Sequence, residues 1–334
     1  MGAPLNKARA LGGNDEPVKA TLFLITYNQE RFIREAIQGA FAQTYSPLEI
    51  VISDDASTDD TFRIVQELCA TYSGPHRVRH NRNPVNLGLI RHINRITALS
   101  SGELIVYAAG DDVSLAVRTE KMVERYLASG RRATLIHSSV SLMCEGGAIE
   151  GIRVPPIIEG GMGLAEMAES GALIIGATVA FTKQIEGVFG PITHERCIED
   201  LVMGFRSALI GGIEYIDEPL VLYRHEGGLT AQSIQRTTSF DDFVTRKLRG
   251  VDGYLAVLMQ RMDDLRLMGN VQLLERVRMK RSAMLLSRKV LSGSFPFFKL
   301  AAYAHKRGQL AVFFRSWVRR LKWRGFFPLK QFLG

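Results

Sequence analysis

The first half of the chain alternates short apolar runs with helically spaced apolar stripes. Ala20 to Tyr27 (Ala-Thr-Leu-Phe-Leu-Ile-Thr-Tyr) reads as a buried strand. After it, Phe32, Ile33, Ala36, Ile37, Ala40 and Phe41 recur three and four apart, which predicts a helix with Asn28 as its N-cap. Leu48 to Ser53 predicts a second strand. The helix after it takes Ser57 or Thr58 as cap, with Asp59 and Asp60 in the first turn, where the helix dipole favours negative charge. Phe62, Val65 and Leu68 form its buried stripe. Val78 marks a short third strand, and Leu87, Ile90, Ile93 and Ile96 the apolar face of a third helix. Leu104 to Ala109 is the fourth strand. Strands and helices alternating at this spacing predict an α/β fold of right-handed βαβ units, with a mostly parallel sheet flanked by helices.

The second half is less regular. Gly146–Gly163 is rich in glycine and proline and reads as a loop, and Leu173–Phe181 reads as a strand. Glu199-Asp200 opens a helix carrying Leu201, Phe205 and Leu209. Ile213–Tyr223 reads as a strand or hairpin broken at Pro219. From Phe240 to about Leu291 the pattern is helical, and the last forty residues interleave aromatics with cations. The division that follows is a flexible leader at 1–17, an α/β domain at 18–236 and a helical, basic, aromatic-rich extension at 237–334.

Charge sharpens this division. The net charge of +8 is an average over unlike parts. From Arg276 to Gly334 there are fifteen Lys/Arg and no Asp or Glu, leaving 27 basic and 34 acidic residues in the rest. An acidic body with a basic tail points to an anionic partner at the tail. Trp317, Trp323, Phe313 and Phe314 set among Arg315, Arg319, Arg320 and Lys322 fit an anionic membrane surface better than nucleic acid. Three cysteines without CxxC spacing argue against a disulfide scaffold or a zinc site. With no signal-peptide core at the start and no apolar run long enough for a membrane span, the expected location is cytoplasmic, peripheral on the inner face of the cytoplasmic membrane.

The candidate chemistry lies where strands end in paired carboxylates. Leu48–Ser53 leads into Asp54-Asp55, and Leu104–Ala109 leads through Gly110 into Asp111-Asp112. The carboxyl ends of strands in an open α/β sheet form its ligand crevice. Asp54 there either caps the next helix or accepts hydrogen bonds from a base or ribose. Asp111 and Asp112 repel one another unless a cation or donors compensate, and one or two carboxylates with phosphate oxygens suit Mg²⁺ or Mn²⁺. Glu199-Asp200 supplies a carboxylate base for an attacking hydroxyl. Tyr223-Arg224-His225 adds a cation for phosphate and an imidazole for metal or phosphate.

In this order the motifs resemble the family-2 glycosyltransferases, inverting enzymes with a GT-A fold. The resemblance runs from about Lys19 to His225. It comprises Ile25-Thr26-Tyr27-Asn28-Gln29-Glu30, Ser53-Asp54-Asp55-Ala56-Ser57-Thr58-Asp59-Asp60-Thr61, Asn86-Leu87-Gly88 with Asn94, and Gly102-Glu103 leading to Gly110-Asp111-Asp112. Gly176-Ala177-Thr178, Phe189-Gly190-Pro191, Glu199-Asp200 and Glu218-Pro219-Leu220 with Tyr223-Arg224 complete it.

The resemblance implies a nucleotide-sugar donor, UDP-linked by family frequency. It implies Mn²⁺ or Mg²⁺ as cofactor, and the membrane-facing tail adds the expectation of a glycan or polyprenyl-diphosphate-linked acceptor. Thr26, Tyr27 and Glu30 would line the nucleoside pocket and Asp54 hold the base, with Asp55, Asn86, Gly88 and Asp112 completing the donor site. Asp111 would ligate the metal, Arg224 meet the diphosphate, and Asp200 act as general base beside Glu199. Two positions depart from the family pattern. Ala109 stands where a further carboxylate often does, and His225 is one residue nearer the Tyr-Arg pair than the family's metal-binding histidine. The alternatives are a template-directed polymerase built on the Gly-Asp-Asp turn and a catalytically inactive sugar-nucleotide-binding protein. A sugar nucleotidyltransferase lacks support because no Gly-rich loop follows the first strand.

Overall fold

Seven consecutive buried residues, Ala20–Thr26, form β1, an inner strand of a sheet with nine strands among the described residues. The structure is a computed structural model that describes residues 16–144, 146–224 and 239–331, with side chains as far as Trp323. α1 (Ile33–Phe41), β2 (Leu48–Asp54), α2 (Thr61–Thr71), β3 (Arg77–Arg82), α3 (Leu89–Leu99) and β4 (Leu104–Ala109) follow. These strands pair in parallel in the order β3-β2-β1-β4, as the alternating pattern predicts. Register matters more than order here. Thr26 lies opposite Asp54, and Ile25 opposite Ala109, so β1, β2 and β4 end on one line.

The second half adds β5 (Val113–Ser114), α4 (Arg118–Ala128), β6 (Leu135–Met143), β7 (Ile149–Arg153), α5 (Pro156–Glu159), α6 (Leu164–Glu169), β8 (Ala180–Thr182), α7 (Gln184–Phe189), α8 (Glu199–Leu209) and β9 (Ile213–Arg224). The sheet continues past β4 as β8-β6-β9-β5, with β7 on the side of β6. β8 runs antiparallel to both β4 and β6, which the sequence pattern did not indicate.

Several expected elements change. Gly146–Gly163 is not all loop, because β7 pairs with β6 inside it. That strand is largely exposed, so no apolar run marks it. Of Leu173–Phe181 only the end is strand. Gly176–Thr178 is a 3₁₀ turn, and a Cβ on Gly176 would lie 2.9 Å from Glu199 Oε1. Pro219 does not break β9. It sits opposite Ser139, where the register with β6 shifts, and a proline without an N–H is tolerated at such an irregularity.

The two expected helix caps are also displaced. Asn28 adopts a left-handed φ of 51°, and its Oδ1 accepts the Thr58 N–H at 2.8 Å. α1 therefore starts only at Ile33. Ser57 is engaged by Asp54 and by the Asn28 N–H, so α2 starts at Thr61. The two loops are stitched further by Gln29 N–H to Thr61 Oγ1 at 2.7 Å and by Asp60 N–H to Glu30 Oε2 at 3.0 Å.

The expected leader, 1–17, lies outside the described residues except for Glu16 and Pro17, and the boundary expected near 236 falls in 225–238, also outside them. Among the described residues four helices follow: α9 (Phe240–Leu267), α10 (Val271–Ser292), α11 (Phe297–Lys306) and α12 (Leu310–Gln331). α9 opens with a capping box of Ser239 and Asp242. Val257, Leu258 and Val277 join the same core as Phe23 and Phe205, so the first two of these helices are continuous with the sheet. No helix among the described residues is long and apolar enough to cross a membrane.

Buried arginines fasten α9 to α8. Arg206 meets Asp264 through two N–H···O bonds of 2.9 Å each. Arg261 donates to the carbonyls of Ala168, Ser170 and Leu201. Removing one partner of a buried pair leaves an uncompensated charge, at a cost of about 3–5 kcal/mol. Asp264→Ala is expected to destabilise the protein by that amount in denaturant unfolding, and Asp264→Asn, which keeps an acceptor, by less. An unchanged midpoint for Asp264→Ala would refute the role assigned to the pair.

Candidate active site

The aligned ends of β1, β2 and β4 open onto a cavity of about 880 Å³. Thr26, Tyr27, Asp55, Asn86 and Gly88 line it, as do Asp111, Asp112, Glu199, Asp200 and Arg224. Ten of the site residues expected from sequence thus meet in one space, although Glu199 lies 173 positions after Thr26.

Two expected residues do not face this space. Asp54 is fully buried, and its carboxylate accepts from the Ser57 N–H at 2.9 Å and from the Ser57 hydroxyl, with Arg82 Nε at 3.4 Å. Glu30 is tied to the Asp60 N–H. Asp55 faces the cavity instead. Its Oδ1 accepts from Asn83 Nδ2 at 2.8 Å and the Leu87 N–H at 2.9 Å, and its Oδ2 from the Gly88 N–H at 2.9 Å. Gly88 has a φ of 77°, a conformation that disfavours other residues. Asp55 therefore shapes the loop that carries Asn86. Asn94 is a staple, bonded through its amide to both the carbonyl and the N–H of Ile192. His225 lies outside the described residues.

The Gly-Asp-Asp turn is packed tightly. A Cβ on Gly110 would collide with Gln29 Oε1 and lie 2.8 Å from Thr26 Oγ1. Asp112 Oδ1 accepts the Arg224 N–H at 2.8 Å. Burial, and then the neighbouring Asp111, push the Asp112 carboxyl well above the usual range, while Arg118 and Arg224 oppose the rise. The Arg224 guanidinium lies over the Phe32 ring and donates to Glu35 Oε2 at 2.8 Å and the Asp111 carbonyl at 3.2 Å. In this conformation it braces the turn.

Two functional neighbours were not legible in the sequence. Arg118 is fully buried and donates to Ser114 Oγ, the Tyr107 carbonyl and the Ala177 carbonyl at 2.7–2.8 Å. It locks the end of β4 to the 3₁₀ turn. Only its place six residues after Asp112 could have drawn notice. His92 lines the cavity with Nε2 2.7 Å from Ser53 Oγ, and burial lowers its pKa. It sits among the helical positions of α3, where nothing distinguished it from an ordinary helix residue.

Glu199 and Asp200 occupy the first turn of α8. Both keep some exposure to the cavity but lie beneath enough protein for burial to dominate their titration. Glu199 is pushed up to about 7, by burial and then by Asp200. Asp200 is pushed up to about 6 by burial, held back by the N–H groups of Leu201 and Gly176. Asp200 Oδ1 is buried and has no hydrogen-bond partner among the described residues.

Residues 21–145 match Glycosyl transferase family 2. Over that stretch the chain is similar to the family. EpsE of Bacillus subtilis, named as a glycosyltransferase, is 31% identical over 140 residues, 42% of this chain and 49% of EpsE. An uncharacterized glycosyltransferase of Haemophilus influenzae is 30% identical over 125 residues, 37% of this chain and 38% of that protein. Chondroitin synthase of Escherichia coli is 35% identical over 92 residues, 28% of this chain and 13% of that protein. The matched stretch thus spans about half or less of these relatives. Among solved structures, S. aureus TarS 1–349 in complex with UDP-GlcNAc superposes with a TM-score of 0.54 at 13% identity, covering 91% of this chain and 92% of that 1–349 chain. Mannosyltransferase PcManGT from Pyrobaculum calidifontis, in complex with GDP-Man and Mn²⁺, gives 0.51 at 16% identity, covering 92% and 88%. At these identities the likeness concerns the fold, which is that of GT-A glycosyltransferases.

The site also fits a divalent cation. No group of three or more Asp, Glu, His or Cys among the described residues could enclose one. The adjacent Asp111 and Asp112, whose mutual repulsion a cation relieves, offer one or two carboxylates. Ligand oxygens and water then complete the set, as is common for Mg²⁺ and Mn²⁺.

The raised Glu199–Asp200 pair also sets a pH dependence. A carboxyl that titrates higher when folded contributes stability that is full below its unfolded pKa and is lost as pH rises through its folded one. For Glu199 that window runs from 4.5 to about 7. Glu199→Gln, which stays neutral, is expected to flatten the stability profile across that window and to raise stability above it. Denaturant midpoints at successive pH values check this, and an unaltered slope would contradict it.

Proposed function

We propose that the protein is an inverting, metal-dependent glycosyltransferase. It moves a sugar from a nucleoside-diphosphate donor, a UDP-sugar in the first instance, to a hydroxyl of a glycan or polyprenyl-diphosphate-linked acceptor in bacterial surface polysaccharide synthesis. The observation that carries this reading is Asp200 Oδ1, buried and unpartnered in the wall of the cavity that also holds Asp111 and Asp112.

Each residue then has a task set by its surroundings. Asp55 and the Asn86–Gly88 loop receive the nucleoside, with Thr26 and Tyr27 beside them. Asp55 replaces Asp54 in this role because only Asp55 faces the cavity. Asp111, with Asp112 beside it, would hold the divalent cation, which supplies positive charge to the leaving diphosphate. The backbone bond from Arg224 fixes Asp112, and the Arg118 network fixes the strand end beneath it. Burial raises both carboxyls and each disfavours ionisation of the other, so the pair retains a proton to higher pH than a free carboxylate would. Asp200 Oδ1 then takes the proton of the acceptor hydroxyl as that oxygen attacks the anomeric carbon. Five carboxylates around the cavity, together with the family match, favour sugar transfer over a template-directed polymerase.

A thermal-shift panel of nucleotide sugars with Mn²⁺ should find one donor that raises the melting temperature by mass action. With that donor, Asp200→Asn is expected to lower kcat about 10²–10⁴-fold, the usual worth of general-base help, while donor affinity persists. Wild-type turnover in this variant would sink the assignment. Asp111→Ala should weaken donor binding in calorimetry with Mn²⁺ and leave the weaker metal-free binding unchanged. Equal loss in both conditions would place Asp111 elsewhere in the chemistry.

A further inference from the structure

α12 presents apolar residues on two sides. Its inward side places Phe313 in a small core with Leu286, Val290, Leu300 and Ala304, beside two polar residues. Ser316 is buried and donates to Ser287 Oγ at 2.9 Å, and Arg320 donates to the Leu291 carbonyl. Its outward side carries Phe314, Trp317, Val318 and Leu321, spaced i, i+3, i+4 and i+7, which puts all four on one stripe. Phe314 is 50% exposed, and Val318 and Leu321 are each 45% exposed.

The stripe continues across the turn into α11. The Phe297 ring lies 5.4 Å from Trp317, 5.0 Å from Phe313 and 5.5 Å from Phe298, and Phe298 is 83% exposed. Burying such rings is worth far more than leaving them in water. Exposed Arg315, Arg319 and Lys322, spaced i, i+4 and i+7, run beside the apolar stripe, and no acidic residue occurs after Glu275.

We propose that the α11–α12 hairpin is a docking surface for an anionic phospholipid bilayer. It would lie in the plane of the interface, with the apolar stripe in the headgroup region and the flanking cations on lipid phosphates. Charge complementarity selects an anionic partner. The aliphatic members of the stripe select lipid over nucleic acid, since bases stack on rings but gain nothing comparable from Val318 and Leu321. The assignment does not depend on the sugar-transfer reading, because its test involves no turnover.

The full-length protein would be sedimented with vesicles of phosphatidylcholine alone and of phosphatidylcholine with phosphatidylglycerol. Trp317, on the stripe, reports insertion by a blue shift of its emission, against the constant contribution of Trp323, which packs on Phe243. Binding is expected only to the anionic vesicles and to weaken with salt. The stripe variant Phe314→Ser/Trp317→Ser/Leu321→Ser and the charge variant Arg315→Glu/Arg319→Glu/Lys322→Glu should each weaken it at least about tenfold. Thermal melting checks that each still folds, and Leu321→Ser alone substitutes for a stripe variant that does not. Retention of vesicle binding by a folded stripe variant overturns the proposal. So does failure of the wild type to bind anionic vesicles, whether it instead binds single-stranded RNA or self-associates through the same stripe.

Discussion

A carboxylate placed at the buried end of a strand or helix must be given donors, or it will hold its proton. The molecule is organised around three answers to that requirement. Asp54 and Asp55 are saturated by hydroxyl, amide and backbone donors, and so become structural anchors. Asp112 is partly answered, by the Arg224 N–H and the nearby charge of Arg118, and its carboxyl stays well above the usual range. Asp200 is answered on one side, by the N–H groups of Leu201 and Gly176, while Oδ1 lacks a partner among the described residues. The three answers give a fixed scaffold, a position suited to a cation and a carboxylate with one oxygen left unpartnered.

This arrangement depends on elements far away in the chain. α8 presents Glu199 and Asp200 from its first turn, while its other flank is tied to α9 by Arg206–Asp264 and by Arg261 on the Leu201 carbonyl. The helices after residue 239 therefore support the site through α8. This explains why a chain whose family match ends at residue 145 has a core that extends to Val277.

Much of this was legible in the sequence, for identifiable reasons. β1, β2 and β4 are continuous apolar runs, and runs of that kind form strands buried on both faces. The Glu199-Asp200 helix start and the convergence of the Asp pairs with it were readable from ordered motifs. The choice between Asp54 and Asp55 was not, because it depends on the turn at Ala56, whose φ is 61°. Nor were Arg118 and Arg261. A lone arginine in a helix reads as solvated surface, and only the three-dimensional supply of carbonyl acceptors makes it a core residue. β7 escaped notice because neither of its faces is buried.

The cross-bonding between the loops after β1 and β2 has a consequence for ligand capture. Asn28, Gln29 and Glu30 are joined to Ser57, Thr58, Asp60 and Thr61 by reciprocal backbone and side-chain bonds. That wall of the cavity is preorganised, with its conformational entropy already lost on folding. A ligand seated there meets a finished surface, and more of its contact energy remains available as affinity than if the loops had to be ordered on arrival.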